Sequence, residues 1–224
     1  MKGRHELKHS LNYLDYIVLR KKLKLVLPID KNVGESGEYK IRSLYFDTPK
    51  DSALREKIDG VNYREKFRIR KYNDNNDFVK LEKKSKNNNL TYKKSEVLKR
   101  EEVEKIIAGD FSWMSKSSSP LVVEFYSKIN GKLLRPKTIV DYYREPFVYP
   151  AGNVRITLDR DIRTALQSTD FFNDDLPTIS AGDEVVVLEV KYDEFLPSFI
   201  SDLIQLGERK ASACSKYANC RIYG

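Results

Sequence analysis

Four segments of the chain alternate charged with apolar or aromatic residues, and within each the charged positions share a parity. They are Arg64, Lys66, Arg68 and Arg70 in YREKFRIRKY; Lys80, Glu82 and Lys84 in FVKLEKKS; Arg155 and Asp159 in VRITLDRD; and Glu189 and Lys191 in VVVLEVKY. Residues two apart on a β-strand point to one face, so each segment has an apolar face and a charged face. Charged faces of single strands ordinarily look at water. Here Arg and Lys repeat at consecutive same-face positions, where like charges repel. That repulsion is tolerable if an anion sits among them. Closed into a barrel, such strands would enclose an interior lined mostly by Lys and Arg. The few carboxylates among them would be placed to hold a divalent metal.

The rest of the pattern predicts a mixed order of strands and helices. A short strand is expected over 4–9, then a helix from Leu11 to about Leu27, capped by Ser10 and stopped by Pro28. A strand over 39–47 precedes Thr48-Pro49, which starts a short helix reaching about Ile58. Strands over 62–72 and 78–86 flank the polar run Asn73 to Asp77 and read as a hairpin, followed by a strand over 90–98. Residues 100–108 read as a helix ended by Gly109, and Ser119-Pro120 opens another that Gly131 ends. Strands follow over 136–145, 153–160 and 184–192, with a short one near 161–167 and a loop over 168–181. Pro197 starts a helix to Leu206, with Gly207 as its cap, and the tail forms a last helical turn or two. The fold class is α+β. With 224 residues, no repeat and no low-complexity linker, one domain over 1–224 is expected.

Charge sharpens the picture. Lys and Arg number 41 against 33 Asp and Glu, a net charge of +8, which attracts anions such as nucleic acid, phosphorylated metabolites, polyphosphate or anionic lipid. Cys214 and Cys220 are too few for a disulfide framework or structural zinc, so a reducing compartment is expected. His5 and His9 lack the third ligand a metal site would need. MKGRHELKHS lacks the apolar stretch of a signal peptide, and no run approaches a membrane span. The sequence carries no phosphate-loop, dinucleotide-binding or nucleophile-elbow motif. The 14 Tyr and 10 Phe interleave with basic residues, which suits a single-stranded nucleic-acid groove, but no RNP-like aromatic cluster is present, so nucleic acid is not the expected partner.

Arg68 and Arg70 are the sharpest candidates, because guanidinium forks bind phosphate bidentately and two on one strand face could grip neighbouring phosphates. The competing reading is a cross-strand salt-bridge ladder with Glu82. Lys84 and Lys94 lie on adjacent predicted strands and are expected to face the arginines. Glu6 and Lys8 share a face of the first strand. Glu189 lies among Val186, Val187, Leu188 and Val190, so its carboxylate must be paired or bind metal. Mg²⁺ and Mn²⁺ take carboxylate together with phosphate oxygens; an ion pair with Lys191 or an arginine is the alternative. Arg144, Arg155 and Lys216 complete the basic set.

The stretches HELKHSLNYLDY, IRSLYFDTP, REKFRIRKY, FVKLEKKSK, VDYYREPF, VRITLDRDI, VVLEVKY and SKY, in that order, resemble the VTC domain of polyphosphate polymerases. That domain belongs to the triphosphate tunnel metalloenzyme (CYTH-like) superfamily. The resemblance implies a closed antiparallel β-barrel with a basic interior and helices outside. It implies substrate binding by Lys8, Arg68, Arg70, Lys84, Lys94, Arg144, Arg155 and Lys216, with Lys93 a one-residue alternative to Lys94. Catalytic roles fall to Arg70, Lys84 and Lys216, and metal binding to Glu189, with Glu6 the weaker candidate. Where fungal members have a lysine three residues before the last one, this chain has Ala213; Lys210 or Arg209 are the substitutes at hand.

The implied reaction transfers the γ-phosphoryl group of ATP, or another nucleoside triphosphate, to a growing inorganic polyphosphate, with Mn²⁺ or Mg²⁺. Fungal relatives work in membrane complexes, so a cytoplasmic protein with a separate membrane partner, at the inner face of the membrane, is the matching expectation. Rival readings are a triphosphate hydrolase or nucleotide cyclase of the same fold and a non-catalytic polyanion binder. Hydrolase relatives carry denser first-strand glutamates; here Arg4 stands where the first acid would be.

Overall fold

A computed structural model describes residues 3–88, 90–182, 186–205 and 214–222. Its strands are β1 (His5–Leu11), β2 (Tyr39–Asp47), β3 (Tyr63–Tyr72), β4 (Asn75–Asn87), β5 (Leu90–Leu98), β6 (Arg135–Tyr149), β7 (Val154–Thr164), β8 (Ile179–Ser180) and β9 (Val186–Tyr192). Its α-helices are α1 (Tyr13–Val26), α2 (Ser52–Ile58), α3 (Arg100–Ala108), α4 (Pro120–Lys132), α5 (Ser198–Ile204) and α6 (Lys216–Ile222). The strands form one antiparallel sheet in the order β1-β9-β7-β6-β2-β3-β4-β5, with β8 beside β7.

The sheet is not closed by hydrogen bonds, which corrects the expectation of a closed barrel. It curls until its edges approach, and Arg4 and Thr91 exchange backbone hydrogen bonds of 3.0 Å in each direction. Among the described residues that bridge is isolated, and no ladder joins β1 to β5. The middle of β5 is exposed and carries Lys93, Lys94 and Ser95, and charged side chains on an edge discourage continued pairing.

Strand alternation sends apolar side chains outward, under the helices. Leu44, Phe46, Phe67, Ile69 and Leu81 pack with Val103, Ile106, Phe125 and Ile129 of α3 and α4. Leu11, Ile156, Leu158, Leu188 and Val190 pack with Leu19 and Leu23 of α1 and Ile200 of α5. A third cluster, on the opposite face of the sheet, packs Tyr45, Tyr142 and Val187 against Tyr217 and Cys220 of α6. Thus Phe67 and Ile69 anchor β3 to its covering helix, and the same two-residue period turns Arg68 and Arg70 inward.

Several boundaries differ from the sequence expectation for local reasons. Ser10 stays in β1, paired with Val187, and Asn12 caps α1 by accepting from Asp15 N at 2.8 Å. Helix α2 starts at Ser52 rather than at Pro49; the Asp47 carboxylate accepts from Ala53 N at 2.9 Å and Leu54 N at 3.1 Å. Gly131 remains inside α4, and Leu133 ends it in the left-handed region at φ 57°. Residues 161–164 continue β7, and β8 forms within the expected loop. Gly207 lies outside the described residues. Among the described residues no helix is long and apolar enough to cross a membrane.

Candidate active site

The inward faces of the strands line a cavity of about 670 Å³. Among the described residues that line it, fourteen are Lys or Arg and two, Glu6 and Glu189, are carboxylates. Register explains how they converge. Lys66 lies opposite Lys84 and Arg68 opposite Glu82 between β3 and β4. Lys84 lies opposite Lys93 on β5. On the other wall Lys8 faces Glu189, Glu6 faces Lys191, and Lys191 faces Arg155.

Four carboxylates organise the cations. The Arg68 guanidinium donates to buried Glu82 at 2.7 Å, Arg70 lies 3.6 Å from it, and Lys93 pairs with its other oxygen. Arg68 also donates to Tyr45 OH at 2.9 Å, and Arg70 to Ser43 Oγ at 3.1 Å and Tyr142 OH at 3.0 Å. Arg144 grips Asp159 with two bonds of 2.6 and 2.7 Å and reaches Glu189 at 3.2 Å. Lys216 Nζ is 2.6 Å from Asp159 and sits 4.8 Å from the centre of the Tyr142 ring. Glu6 accepts from Lys84 at 2.7 Å and lies 3.3 Å from Lys8, which in turn lies 3.4 Å from Glu189. Lys191 is 3.3 Å from Glu189.

Burial and neighbouring charge set the protonation states. Burial raises the carboxyl pKa of Glu6, but the Lys84 and Lys8 ammonium groups outweigh it and hold the group far below the usual range. Arg68, Arg70 and Lys93 do the same for Glu82, and Arg144 and Lys216 for Asp159. Burial, with the charges of Lys8, Lys57, Arg64 and Arg68, pushes Lys66 down to about 7. Burial brings Lys191 to about 8. Tyr142 is held at about 8, because the Arg144 and Arg70 charges outweigh the burial that opposes its ionisation.

Of the residues singled out from sequence, Glu6, Lys8, Arg68, Arg70, Lys84, Arg144, Arg155, Glu189 and Lys216 all line this cavity. Arg155 is tied to Asp30 and donates to Tyr39 OH at 3.3 Å. Lys94 does not belong with them. It sits opposite Lys83 on the outer face, 3.7 Å from Glu124, and Lys93 takes the inward position. In that hairpin Asn87 pairs with Leu90, and this register decides the parity. Ala213, Lys210 and Arg209 lie outside the described residues. Lys66 and Arg64 share the parity of Arg68, and Lys191 that of Glu189, so alternation could have added them to the site. Lys57 comes from α2, and no sequence pattern marks it.

The VTC domain profile matches residues 3–222. The chain belongs to the VTC domain family. No curated protein matches it. Its fold is similar to that of a Hippeastrum protein described as a candidate adenylyl cyclase with a dominant triphosphatase activity. That structure has 14% identity and a TM-score of 0.58, with 97% of this chain and 94% of that one covered. A candidate adenylate cyclase from Bacillus halodurans gives 14% identity and a TM-score of 0.53, over 85% of this chain and 80% of that one. These likenesses show a shared fold.

The resemblance to triphosphate tunnel metalloenzymes implies a divalent metal, and the residues present can be tested for it. Among the described residues no group of three or more His, Cys, Asp or Glu converges in the tunnel. It offers Glu6 and Glu189, which share Lys8 and Lys84. The Thr157 hydroxyl, in register with Glu189, is buried and has no hydrogen-bond partner among the described residues. Two carboxylates and a spare hydroxyl fit a hard ion that brings most of its oxygen ligands as water and phosphate.

Proposed function

We propose that this VTC domain is a metal-dependent polyphosphate polymerase, transferring the γ-phosphoryl group of ATP to the end of a polyphosphate chain. The observation that carries the reading is the interior charge: cations in large excess, and carboxylates held ionised by two or three cations each. A carboxylate with so low a pKa is a poor general base. Hydrolysis needs a water deprotonated as it attacks, whereas a terminal phosphate is already an anion at neutral pH. The site therefore suits an anionic acceptor.

In this reading Arg68 and Arg70 grip the triphosphate, and Lys84, Arg144 and Lys216 neutralise charge as it shifts towards the leaving ADP. Positioning and electrostatic stabilisation carry the rate, as is general for phosphoryl transfer. Glu189 and Glu6 would hold the divalent ion, which when bound screens the phosphate oxygens. The cations tied to Glu82 and Asp159 have little freedom to turn away, so the donors are preorganised. Export of the chain through a separate membrane partner belongs to the same reading and predicts recovery of the protein with membranes in native cells.

Purified protein is incubated with ATP and Mn²⁺ or Mg²⁺, and ADP and chain length are followed together. ADP matched by lengthening chains supports the polymerase. Free phosphate without chains makes the domain a triphosphate hydrolase, the activity described for the Hippeastrum neighbour. Metal-independent chain binding without turnover makes it a binding module.

A further inference from the structure

Apart from Arg4 and Arg155, which pair with Asp193 and Asp30, the cations of the tunnel fall into two groups. Those around Glu6, Glu82, Asp159 and Glu189 are each paired with a carboxylate. Lys57, Arg64, Lys66 and Lys86 line the same cavity and form no ion pair among the described residues. Arg64 and Lys86 are directly opposed in the β3–β4 register, with Lys66 and Lys84 the next pair on that face. Directly opposed like charges destabilise a sheet. Lys57 reaches in from α2, and its pKa is lowered by burial and then by the charges of Arg64 and Lys86. The polar contacts of the group are neutral: Arg64 donates to Val61 O at 2.7 Å and Lys66 to Ser215 Oγ at 3.2 Å. All four side chains are half-buried.

We infer that Lys57, Arg64, Lys66 and Lys86 form a second anion subsite, which holds phosphates of a linear polyphosphate beyond the three engaged at the carboxylate-lined centre. The inference rests on the polymerase reading for its ligand. At the carboxylate-lined centre every cation has a carboxylate partner, though several share one; at the α2–β3–β4 end none has one among the described residues, and an anion would supply it. A triphosphate held by Arg68 and Arg70 leaves this end unfilled, whereas a longer chain fills both. The subsite thus selects for chain length.

The test measures binding of inorganic tripolyphosphate and of a much longer linear polyphosphate, across a salt series, to the wild type and to a Lys57→Met/Lys86→Met double variant. The long chain should bind the double variant about tenfold more weakly, with the slope of log affinity against log salt reduced by about two. Tripolyphosphate affinity should change less than about twofold. Equal loss for both ligands, or no loss for either, overturns the subsite. A Lys57→Arg/Lys86→Arg variant keeps the charge and should keep long-chain affinity; a loss there also overturns it. Turnover assays in parallel separate the two ideas. If the wild type makes no chains yet the length-dependent loss is seen, the polymerase reading falls and the subsite stands. If chains are made and long-chain affinity is indifferent to the double variant, the subsite falls alone.

Discussion

The two faces of β3, β4 and β5 are built from the same strands, yet they treat charge in opposite ways. On the outer face Lys83 lies 2.8 Å from Glu65 and pairs with Glu124, while Lys128 of α4 pairs with Glu65. Cations and carboxylates there balance locally, and Phe67 and Ile69 beside them are buried under the helices. On the inner face a single carboxylate, Glu82, answers Arg68, Arg70 and Lys93, and Lys66 has none among the described residues. The outer network serves the packing of a helix on a sheet. The inner face is left with an excess of cations, the charge that the proposed polyanion would meet. Lys93 and Lys94 show how fine the division is, since neighbouring residues of one type fall on opposite sides of it.

The sharpest way to break this comparison is at Arg70. Arg70→Ala should lower ATP turnover about 100-fold or more, the loss typical of removing a preorganised donor to a developing charge, with unchanged circular dichroism. Activity within a factor of two of wild type would sink the assignment of the inner face.

Glu82→Gln comes next. It removes the one carboxylate beside three cations and should cost about 3 kcal/mol of stability, the scale of breaking a buried ion pair. Polyphosphate should restore much of the lost thermal midpoint, because it supplies the missing negative charge. The outer-face variant Glu65→Gln should gain nothing from polyphosphate. A midpoint of Glu82→Gln that ignores polyphosphate would mean that the inner face is structural.

The pH dependence separates the faces differently. Lys66 at about 7 and Lys191 at about 8 lie below the ordinary lysine value of 10.5. The empty folded protein therefore binds fewer protons than the unfolded chain between about pH 7 and 10.5, and this contribution makes its stability rise with pH in that window. Polyanion binding favours the charged lysines, so it takes up protons and weakens as pH rises through the same window. Calorimetry at pH 8 in buffers of different ionisation enthalpy should show uptake of about one proton, reduced in Lys66→Met. Zero uptake would remove the low lysine values from the account.

The smallest effect is the most specific. Lys93→Ala should weaken chain binding several-fold, whereas Lys94→Ala, an exposed lysine at a surface pair, should stay within about 0.5 kcal/mol in both binding and stability. Equal effects would show that the β4–β5 register differs in solution.

Alternation alone determined a good deal about this protein. The two-residue period of YREKFRIRKY and VVLEVKY required an apolar and a charged face, and the excess of Lys and Arg on the charged faces pointed to an anion before any fold was known. The hairpin of β3 and β4, the helices α3 and α4, and the inward set from Lys8 to Lys216 were legible on that basis together with family resemblance. Whether the sheet closes was not legible, because closure depends on how far eight successive strands twist and stagger before β1 meets β5. Nor was the choice between Lys93 and Lys94, which a single residue of turn length reverses. Lys57 enters from a helix whose place over the tunnel is a tertiary fact. Most of all, the sequence could not say which cations have carboxylate partners. Glu82, Asp159, Glu6 and Glu189 are far apart along the chain, and only the folded sheet distributes them to some lysines and arginines and withholds them from others.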